Sequence, residues 1–364
     1  MKNTFGNNVS FTLFGESHGE EIGIIIDGLA PGIEVDEERI ATELLRRRPS
    51  GNISTARRES DKFRIVSGVF SGKTTGTPLC IIIPNTEKKS CDYSSLAEIP
   101  RPGHADYTAD CKYHSFQDPR GGGHFSGRLT APIVAAGAIL KTALRKKGIY
   151  IGTHIKELGG VCDRELNEND IKGDIQAMAE SNFPVLDKSR GAEMLCAAED
   201  AASLGDSVGG ILETAVVGIP KGVGEPWFDS VESMISHAIF SIPAVKGIEF
   251  GAGFSFARML GSEANDPFIT DGTEIKTRTN NNGGINGGIT NGMPIVFRTA
   301  IKPTPSIYKE QDTVNVAEMK NTKLTIKGRH DPTIVHRAAP VTEAICAMVL
   351  CDMLSGRFGT DYLK

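Results

Sequence analysis

The sequence contains 364 residues, of which 39% are hydrophobic and 23% are charged, so its composition is that of a globular protein and not of a disordered one. The 40 basic and 45 acidic side chains give a formal net charge of −5, which argues against nucleic acid or an anionic membrane as a partner. No apolar run approaches the roughly 18 residues that cross a bilayer, and the first residues lack the apolar core of a secretory signal. We therefore expect a cytoplasmic protein in which any bound anion is held by a local cluster of side chains.

Seven cysteines are scattered along the chain. None belongs to a C-x-x-C motif, and no cysteines and histidines have the spacing of a zinc finger. Buried free thiols in a reducing compartment are the plain interpretation. We expect neither a disulfide framework nor a metal site.

The hydrophobic pattern, followed in chain order, predicts strands over 22–27, 65–70, 79–83, 212–219 and 294–297. Asp36 is typical of the N-cap of a helix that ends before Pro49. A helix over 131–147 is apolar on most faces and should be deeply buried. A polar helix over 169–180 should lie on the surface, and 341–354 carries core residues at helical spacing.

The predicted strands and helices do not alternate along the chain as they do in βαβ units. This order argues against a doubly wound parallel sheet and predicts an α+β fold. No linker-like or low-complexity stretch divides the chain, so we expect one domain over 1–364.

Residues 15–19 match the G-x-S-x-G motif of serine hydrolases. That motif needs a strand before the serine and a helix after it, whereas the β-branched residues that follow here predict a strand. We also expect that Ser17 and His18, being adjacent in sequence, do not easily form a nucleophile–base contact, although a distant histidine could serve as the base. The match is therefore a weak argument for a hydrolase.

Residues 68–74 resemble a phosphate-binding P-loop but have three residues between the glycines instead of four. The segment 75–78 that follows contains glycine and proline and cannot begin a helix, so we predict a hairpin turn between two strands. No G-x-G-x-x-G segment follows a strand and begins a helix, and a dinucleotide-binding fold is therefore unsupported.

Arginines are concentrated in the first third of the chain, at Arg39, Arg46, Arg47, Arg48, Arg57, Arg58, Arg64, Arg101, Arg120 and Arg128. Guanidinium groups bind carboxylates and phosphates bidentately, so this cluster suits a small polyanionic ligand. Successive side chains of a helix point about 100° apart. At most two of the three arginines at 46–48 can therefore face a common pocket.

Histidines stand among glycines and prolines in three segments, 101–107, 120–128 and 328–332. The three glycines at 121–123 offer free backbone N–H groups just before the predicted buried helix, an arrangement typical of a phosphate cradle. The chain has eight histidines, so this pattern alone does not select the catalytic ones.

Taken together, nine segments resemble the chorismate synthase family and occur in the family's order, at 15–31, 46–49, 57–59, 101–108, 121–128, 244–247, 282–288, 302–306 and 327–332. The resemblance implies conversion of 5-enolpyruvylshikimate 3-phosphate to chorismate and phosphate, with reduced FMN required although the reaction has no net redox change. It also implies a homotetramer whose subunits place a helical layer between two antiparallel β-sheets. It leaves open whether the chain uses NADPH to reduce its own flavin.

The resemblance also implies roles for individual residues. His18 would protonate the departing phosphate, and His104 would protonate or stabilise the anionic reduced flavin. Asp331, Ser17 and Ser126 match a proton relay near the flavin. The substrate, NADPH or flavin phosphate would be held by Arg47, Arg128, Arg329 and Arg337. Flavin contacts would come from His124, Phe125, Ser126, Ala244, Gly287, Lys302, Pro303, Thr304, Pro305, Ser306 and Arg329. The glycine-rich turn at 283–288 would let the backbone approach the planar ring.

Some positions depart from the family's commoner pattern. His124 and Phe125 stand where an arginine and a serine are usual, so we expect flavin binding to depend on pH and Phe125 to pack on the ring. Ile53 replaces a common arginine and is not assigned to the site. Pro243 replaces a common asparagine and removes a backbone donor beside Ala244.

Two other classes of function stay open. One is a serine hydrolase built on Ser17. The other is a non-catalytic protein that binds a flavin or a phosphorylated metabolite.

Overall fold

The computed structural model describes residues 2–49, 51, 53–54, 61–86, 98–118, 120–326, 328 and 330–364. Its α-helices are α1 (Glu37–Arg47), α2 (Asp106–Tyr113), α3 (Thr130–Lys146), α4 (Ile171–Met178), α5 (Lys188–Ser203), α6 (Val231–Ile239), α7 (Gly261–Ala264) and α8 (Val335–Phe358). Its strands are β1 (Thr4–Phe5), β2 (Ser10–Gly15), β3 (Glu21–Asp27), β4 (Arg64–Ser67), β5 (Val69–Phe70), β6 (Lys73–Thr74), β7 (Leu79–Pro84), β8 (Tyr150–Leu158), β9 (Val161–Cys162), β10 (Gly210–Val217), β11 (Val245–Phe250), β12 (Phe268–Thr270), β13 (Ile275–Thr277), β14 (Ile285–Asn286), β15 (Ile289–Thr290), β16 (Ile295–Ile301), β17 (Gln311–Asn315) and β18 (Lys320–Leu324).

Two five-stranded antiparallel sheets form the frame of the described chain. The first sheet has the strand order β1-β2-β3-β7-β4, with Ile24 of β3 paired to Leu13 on one side and to Ile81 on the other. The second sheet has the order β11-β16-β10-β8-β9, with Thr214 of β10 paired to Phe297 and Thr153. The remaining strands form short two-stranded hairpins.

A layer of helices separates the two sheets. Helix α3 contacts β3 and β7 of the first sheet and β8 of the second, and α8 contacts β8 and β10. Helices α1 and α6 pack beside α8 in the same layer. The predicted α+β fold and the predicted helical layer between two antiparallel sheets are thus confirmed.

The opposite face of the second sheet is covered by α4 and α5. Consecutive residues of a strand point to opposite faces. In β8, Gly152 lies against Ile175 of α4, whereas the backbone N–H of Thr153 donates to Glu343 of α8 at 3.2 Å. Both faces of the second sheet are therefore buried by helices.

The capping signals of α1 act as the sequence predicts. The side chain of Asp36 accepts a hydrogen bond from the backbone N–H of Arg39 at 3.1 Å. Acidic side chains occupy the first turn and basic ones the last, where each favours the helix dipole. Helix α3 is buried on nearly every face, as predicted, because it lies between two sheets.

The predicted limits of the last helix are wrong. Helix α8 begins at Val335 instead of Val341, and Pro340 lies inside it. Proline removes one backbone hydrogen bond, but the neighbouring Ala339 is wholly buried, so packing of the flanking side chains outweighs that loss. Within the described residues, α8 also has the length and apolar composition of a membrane span, and 94% of its apolar window is buried inside the protein.

Other predicted elements form with altered limits. The helix predicted over 169–180 is α4, and Ile171 and Ile175 give it one buried face against the second sheet. The strand predicted over 65–70 is divided at Gly68, where a Cβ would lie 2.4 Å from the Cα of Leu79. The strands predicted over 212–219 and 294–297 are β10 and β16, each shifted or lengthened.

The segment that resembles a P-loop is a hairpin, as predicted. Ser71 and Gly72 connect β5 to β6, and both have positive φ. Helices α2, α5, α6 and α7 were not predicted. The expectation of buried thiols is wrong for Cys111, Cys162 and Cys196, which are exposed. The main buried cluster contains side chains from both sheets and from the helices between them, while the one-domain organisation stays a prediction.

Four charged side chains are buried together in the helical layer. Arg46 of α1 donates to Glu43 at 2.7 Å and to both oxygens of Glu343 at 2.7 and 2.8 Å. Lys141 of α3 lies 2.9 Å from Glu43 and also contacts Glu343. Burial by itself would raise the pKa of Glu343, but Arg46 and Lys141 outweigh it and lower the pKa to about 2. The buried charge cluster therefore joins α1, α3 and α8 with two positive and two negative groups.

We expect Glu343→Gln to lower the free energy of unfolding by about 3–5 kcal/mol at pH 7, because two buried cations then share one carboxylate. The folded pKa of Glu343 lies below its unfolded value of 4.5. Its contribution to stability is therefore complete above pH 4.5 and is lost as the pH falls towards 2. Urea denaturation at pH 7 and pH 3 should show a smaller difference between the variant and the wild type at pH 3.

Glu318→Gln is the matched control for this substitution. Glu318 forms an exposed pair with Lys320 at 3.5 Å, and its loss should change stability by less than about 1 kcal/mol. If Glu343→Gln were as stable as the control variant, the expected contribution of the buried charge cluster to the free energy of unfolding would be contradicted.

Candidate active site

A cavity of about 2440 Å³ lies between the first sheet, the ends of several helices and the loops around them. Single small-molecule sites usually measure roughly 300–1,000 Å³, so this cavity has room for more than one ligand. His18 and His104 both line it. Two histidines that are distant in sequence thus share one cavity.

Ser17 and His18 lie in a tight turn between β2 and β3. The turn is closed by the N–H of Gly19, which donates to the carbonyl of Glu16 at 3.0 Å. The Oγ of Ser17 and the Nδ1 of His18 are 3.0 Å apart, and both residues are buried. The expectation that Ser17 and His18 do not easily form a nucleophile–base contact is wrong in its geometry, because the turn directs both side chains to the same side and brings the two atoms within hydrogen-bond distance. The predicted strand, β3, follows the serine, so the helix of a nucleophile elbow is absent at this point of the described chain.

The glycines at 121–123 support this turn. The carbonyl of Gly123 accepts the N–H of Ser17 at 3.1 Å. Gly121 has a φ of +66°, and a Cβ there would lie 2.3 Å from the Cε1 of His18. The prediction that the N–H groups of all three glycines are free is wrong for Gly123, whose N–H donates to the carbonyl of Arg120 at 3.2 Å. The phosphate cradle stays a prediction.

His104 is held by the loop that precedes α2 and by residues 302–306. Its Nε2 lies 3.1 Å from the Oγ of Ser306, and Lys302 donates to the carbonyl of Gly103 at 2.6 Å. Burial first, and then the positive charges of Arg101 and Lys302, lower the pKa of His104 to about 4. His104 is therefore neutral at pH 7 in this environment.

Guanidinium groups meet two carboxylates in the cavity wall. The Nη2 of Arg47 lies 2.8 Å from Asp61, and Arg128 also donates to this carboxylate. Arg337 donates to Asp331 at 2.9 Å and to the carbonyl of Arg47 at 3.0 Å. The Nε of Arg48 also lies 3.8 Å from Asp61, so the cations outnumber the two anions, an excess of positive charge that suits an anionic ligand.

Asp61 occupies the centre of this arginine cluster. Its side chain is fully buried, and its backbone φ is +45°, which is uncommon for a residue other than glycine. Burial would raise the pKa of Asp61, but Arg47 and Arg128 outweigh it and lower the pKa. Burial and the nearby Arg337 and Arg128 lower the pKa of Arg47, although a guanidinium stays charged at any physiological pH.

The three consecutive arginines at the end of α1 point in different directions. Arg46 belongs to the buried charge cluster, whereas Arg47 and Arg48 line the cavity. The prediction that at most two of them face one pocket is confirmed.

Most of the residues expected to contact a flavin line this cavity. They are His124, Phe125, Ser126, Ala244, Lys302, Thr304, Pro305 and Ser306. The residues expected to act on protons or on the substrate line it as well, namely Ser17, His18, His104, Ser126, Asp331, Arg47, Arg128 and Arg337.

The other three expected flavin contacts are Arg329, Pro303 and Gly287. Arg329 lies outside the described residues. Pro303 lies between lining residues without lining the cavity itself. Gly287 lies away from the cavity, in the turn between β14 and β15. The glycines of 283–288 allow close approach of other backbone, since a Cβ on Gly283 would lie 2.6 Å from the N of Gly251, so the role of Gly287 towards a ring stays a prediction.

His124 and Phe125, the two residues that differ from the family's commoner pattern, each contact a neighbouring element. The Nδ1 of His124 donates to the carbonyl of Gly15 at 2.8 Å, which ties this loop to the end of β2. Phe125 meets Tyr113 edge to face with ring centroids 6.0 Å apart, and Phe125 is 42% exposed at the cavity. An aromatic surface is thus available to a planar ligand at this position.

Two residues of the site were missed by sequence reasoning. Asp61 balances the arginines, and no local pattern singles it out. Asn85 directly follows the apolar strand β7 and bonds to the Ser17–His18 turn and to Arg128. A buried polar residue at a strand end could have indicated Asn85.

Comparison with known proteins gives a consistent result. A family model described as chorismate synthase matches residues 9–355. The chorismate synthase of Thermococcus gammatolerans is 48% identical over 352 residues and that of Pyrococcus abyssi is 47% identical over 349, each alignment covering at least 96% of both chains. A solved crystal structure of a chorismate synthase is similar to this chain with a TM-score of 0.77 and 30% identity, covering 98% of this chain and 94% of that one.

We expect Lys302→Gln to raise the pKa of His104 by roughly half a unit to one unit, because one of the positive charges that oppose its protonation is removed. The measurement is an NMR titration of the histidine Cε1–H resonances, with the His104 signal identified by its loss in His104→Gln. Lys309→Gln, which removes an exposed partner of Asp206, is the control and should leave the pKa of His104 unchanged. An unchanged pKa in Lys302→Gln would show that Lys302 does not act on His104.

Proposed function

The chain belongs to the chorismate synthase family, and from this premise we propose that it converts 5-enolpyruvylshikimate 3-phosphate to chorismate and phosphate. The reaction is an anti-1,4-elimination by a carbon–oxygen lyase of the shikimate pathway, which leads to aromatic amino acids. The observation that carries the proposal is the single cavity that His18 and His104 share with a cluster of arginines. Such a cavity suits a small ligand with two carboxylates and a phosphate.

The substrate would be bound by the arginine cluster. Arg47, Arg128 and Arg337 present more positive charge than Asp61 and Asp331 cancel. Their geometry is set by these carboxylates before the ligand arrives, so little reorganisation is needed when an anion binds. Arg329, outside the described residues, would add a fourth guanidinium group.

The side chains of the cavity wall can supply the contacts that reduced FMN requires. Phe125 and Pro305 offer apolar surface for a planar ring, and the other flavin contacts would come from His124, Ser126, Ala244, Thr304 and Ser306. Lys302 lies beside them as a cation. When bound, reduced FMN would supply electron density to cleavage of the carbon–oxygen bond, chemistry that no side chain provides.

His18 would protonate the departing phosphate. Its imidazole is held between the hydroxyl of Ser17 and the backbone at Gly121, so its ring can turn little. Histidine suits this step because its ordinary pKa is about 6.5.

His104 would stabilise negative charge on the reduced cofactor. It is neutral in the surroundings described above, and an anion beside it would raise its pKa and favour proton uptake. Asp331, Ser17 and Ser126 line the same cavity and are assigned to the proton path.

We further propose a homotetramer. Large apolar side chains are exposed away from the cavity, including Trp227, Phe228, Phe254 and Phe268, which are 84%, 91%, 79% and 73% exposed. Large exposed apolar side chains are candidates for burial in subunit contacts.

The decisive experiment is an anaerobic assay with 5-enolpyruvylshikimate 3-phosphate and photoreduced FMN. We expect equal amounts of chorismate and phosphate, and neither product without reduced flavin. Repeating the assay with NADPH and oxidised FMN tests whether the chain reduces its own flavin. Phosphate release without flavin, with covalent labelling of Ser17 by a fluorophosphonate, would instead identify a hydrolase. FMN binding without turnover would identify a non-catalytic flavin protein.

We expect His104→Ala to reduce turnover by on the order of 10²–10⁴, the usual effect of removing a positioned acid–base group. Turnover is measured with saturating reduced FMN, so weaker cofactor binding does not account for the loss. His114→Asn, at an exposed position outside the cavity lining, is the control and should retain wild-type turnover. Wild-type turnover in His104→Ala would remove His104 from the mechanism.

We expect Arg329→Ala to weaken ligand binding more than it lowers the melting temperature, because the sequence places this arginine outside the apolar segments that form the core. Titration with substrate and thermal unfolding of the same samples separate the two effects. A large fall in melting temperature would contradict a binding role.

A further inference from the structure

Asn85 directly follows β7 and is buried, with 6% of its surface exposed. Its Nδ2 donates to the carbonyl of Glu16 at 3.0 Å and to that of Gly19 at 3.1 Å. Its Oδ1 accepts the Nε–H of Arg128 at 3.1 Å. One amide group therefore contacts two separate parts of the site.

The two carbonyls that accept from Asn85 stand on either side of Ser17 and His18. The backbone N–H of Asn85 also donates to the carbonyl of Glu20 at 3.0 Å. Both hydrogens of the side-chain amide are used, so the turn that carries His18 is fixed at its start and at its end. A carboxylate has the same shape but no hydrogens, and it would repel both carbonyls.

Arg128 needs the other end of the same amide. Its Nη1 contacts Asp61 and its Nη2 donates to the carbonyl of Pro84 at 3.3 Å, while Asn85 accepts from Nε. These three acceptors together orient the guanidinium plane. Because the amide of Asn85 is neutral, it orients Arg128 without cancelling the positive charge that an anion requires.

We propose that Asn85 is a positioning residue that couples the turn carrying His18 to Arg128. The amide holds the proton donor and an anion-binding guanidinium in one geometry, so that a phosphate bound at Arg128 meets His18 in a fixed orientation. The role of His18 as proton donor rests on the proposed function. The coupling of the turn to Arg128 through Asn85 does not depend on the proposed function.

The coupling predicts effects that loss of stability alone does not produce. Asn85→Leu removes all three side-chain hydrogen bonds at similar volume. The turn keeps the hydrogen bond from Ser17 to Gly123, so the chain should fold while His18 loses its fixed orientation. We expect kcat to fall by roughly 10–100-fold, the range seen when outer-shell supports of a site are removed, with KM changed much less.

The direct test is NMR on the full chain at pH 7, without flavin or substrate. Inorganic phosphate is added, and the Cε1–H of His18 and the Nε–H of Arg128 are followed, each assigned by substitution. In the wild type, phosphate should shift both signals. In Asn85→Leu the His18 signal should move or broaden before phosphate is added, and its response to phosphate should be largely lost.

Asn85→Asp is the second variant, and it preserves the shape of the side chain, so it serves as the test if Asn85→Leu does not fold. It should displace the His18 signal as Leu does, because both donors are gone, while an acceptor for Arg128 remains. Asn167→Asp, at an exposed position outside the cavity, is the matched control and should leave both signals unchanged.

The outcomes separate this proposal from the proposed function. A His18 signal that stays the same in folded Asn85→Leu or Asn85→Asp, with a wild-type response to phosphate, overturns the positioning role. A wild-type chain that forms no chorismate with reduced FMN overturns the proposed function, whether or not the two NMR signals are coupled.

Discussion

The neutral cluster of Glu43, Arg46, Lys141 and Glu343 is the constraint on which the site depends. It joins three helices at the centre of the layer between the sheets, where a group without its partner would be a buried uncompensated charge. Because successive residues of a helix point about 100° apart, fixing Arg46 inward also fixes the rotation of α1. Arg47 then points to the cavity. Packing of the helical layer and placement of a cavity-lining arginine are consequences of the same contacts.

Charged side chains are also paired in the cavity wall, but there the cations outnumber the anions. In the helical layer two buried cations meet two buried anions, and the partly exposed Arg39 lies 3.2 Å from Glu43 at the edge of this cluster. Around Asp61 and Asp331, four guanidinium groups face two carboxylates. The first arrangement is complete in itself, and the second gains further from an added anion. Asp61 has a positive φ and a fully buried side chain, so its position is determined by the surrounding arginines and not by local backbone preference.

Sequence reasoning succeeded where the signal was local. The cap at Asp36, the buried helix α3 and the hairpin at 68–74 each follow from neighbouring residues. It failed where a distant contact decided the outcome. The last helix was predicted over 341–354 although it begins at Val335, because the packing that accommodates Pro340 inside it comes from other elements. Asp61 was missed because its partner Arg128 is far away in sequence. The resemblance identified both histidines, but only the fold relates them to one cavity.

The surroundings of His104 show how the two halves of the site depend on one another. Lys302 and Ser306 are expected flavin contacts, and they also hold the loop that carries His104. Burial lowers the pKa of His104 most, and the positive charges that make this wall attractive to an anion lower it further and help keep the imidazole neutral. An anion at this wall would offset that repulsion, so binding and proton uptake by His104 are thermodynamically linked. Proton uptake at this imidazole is therefore favoured chiefly when the wall is occupied, and premature protonation is disfavoured by the chain itself.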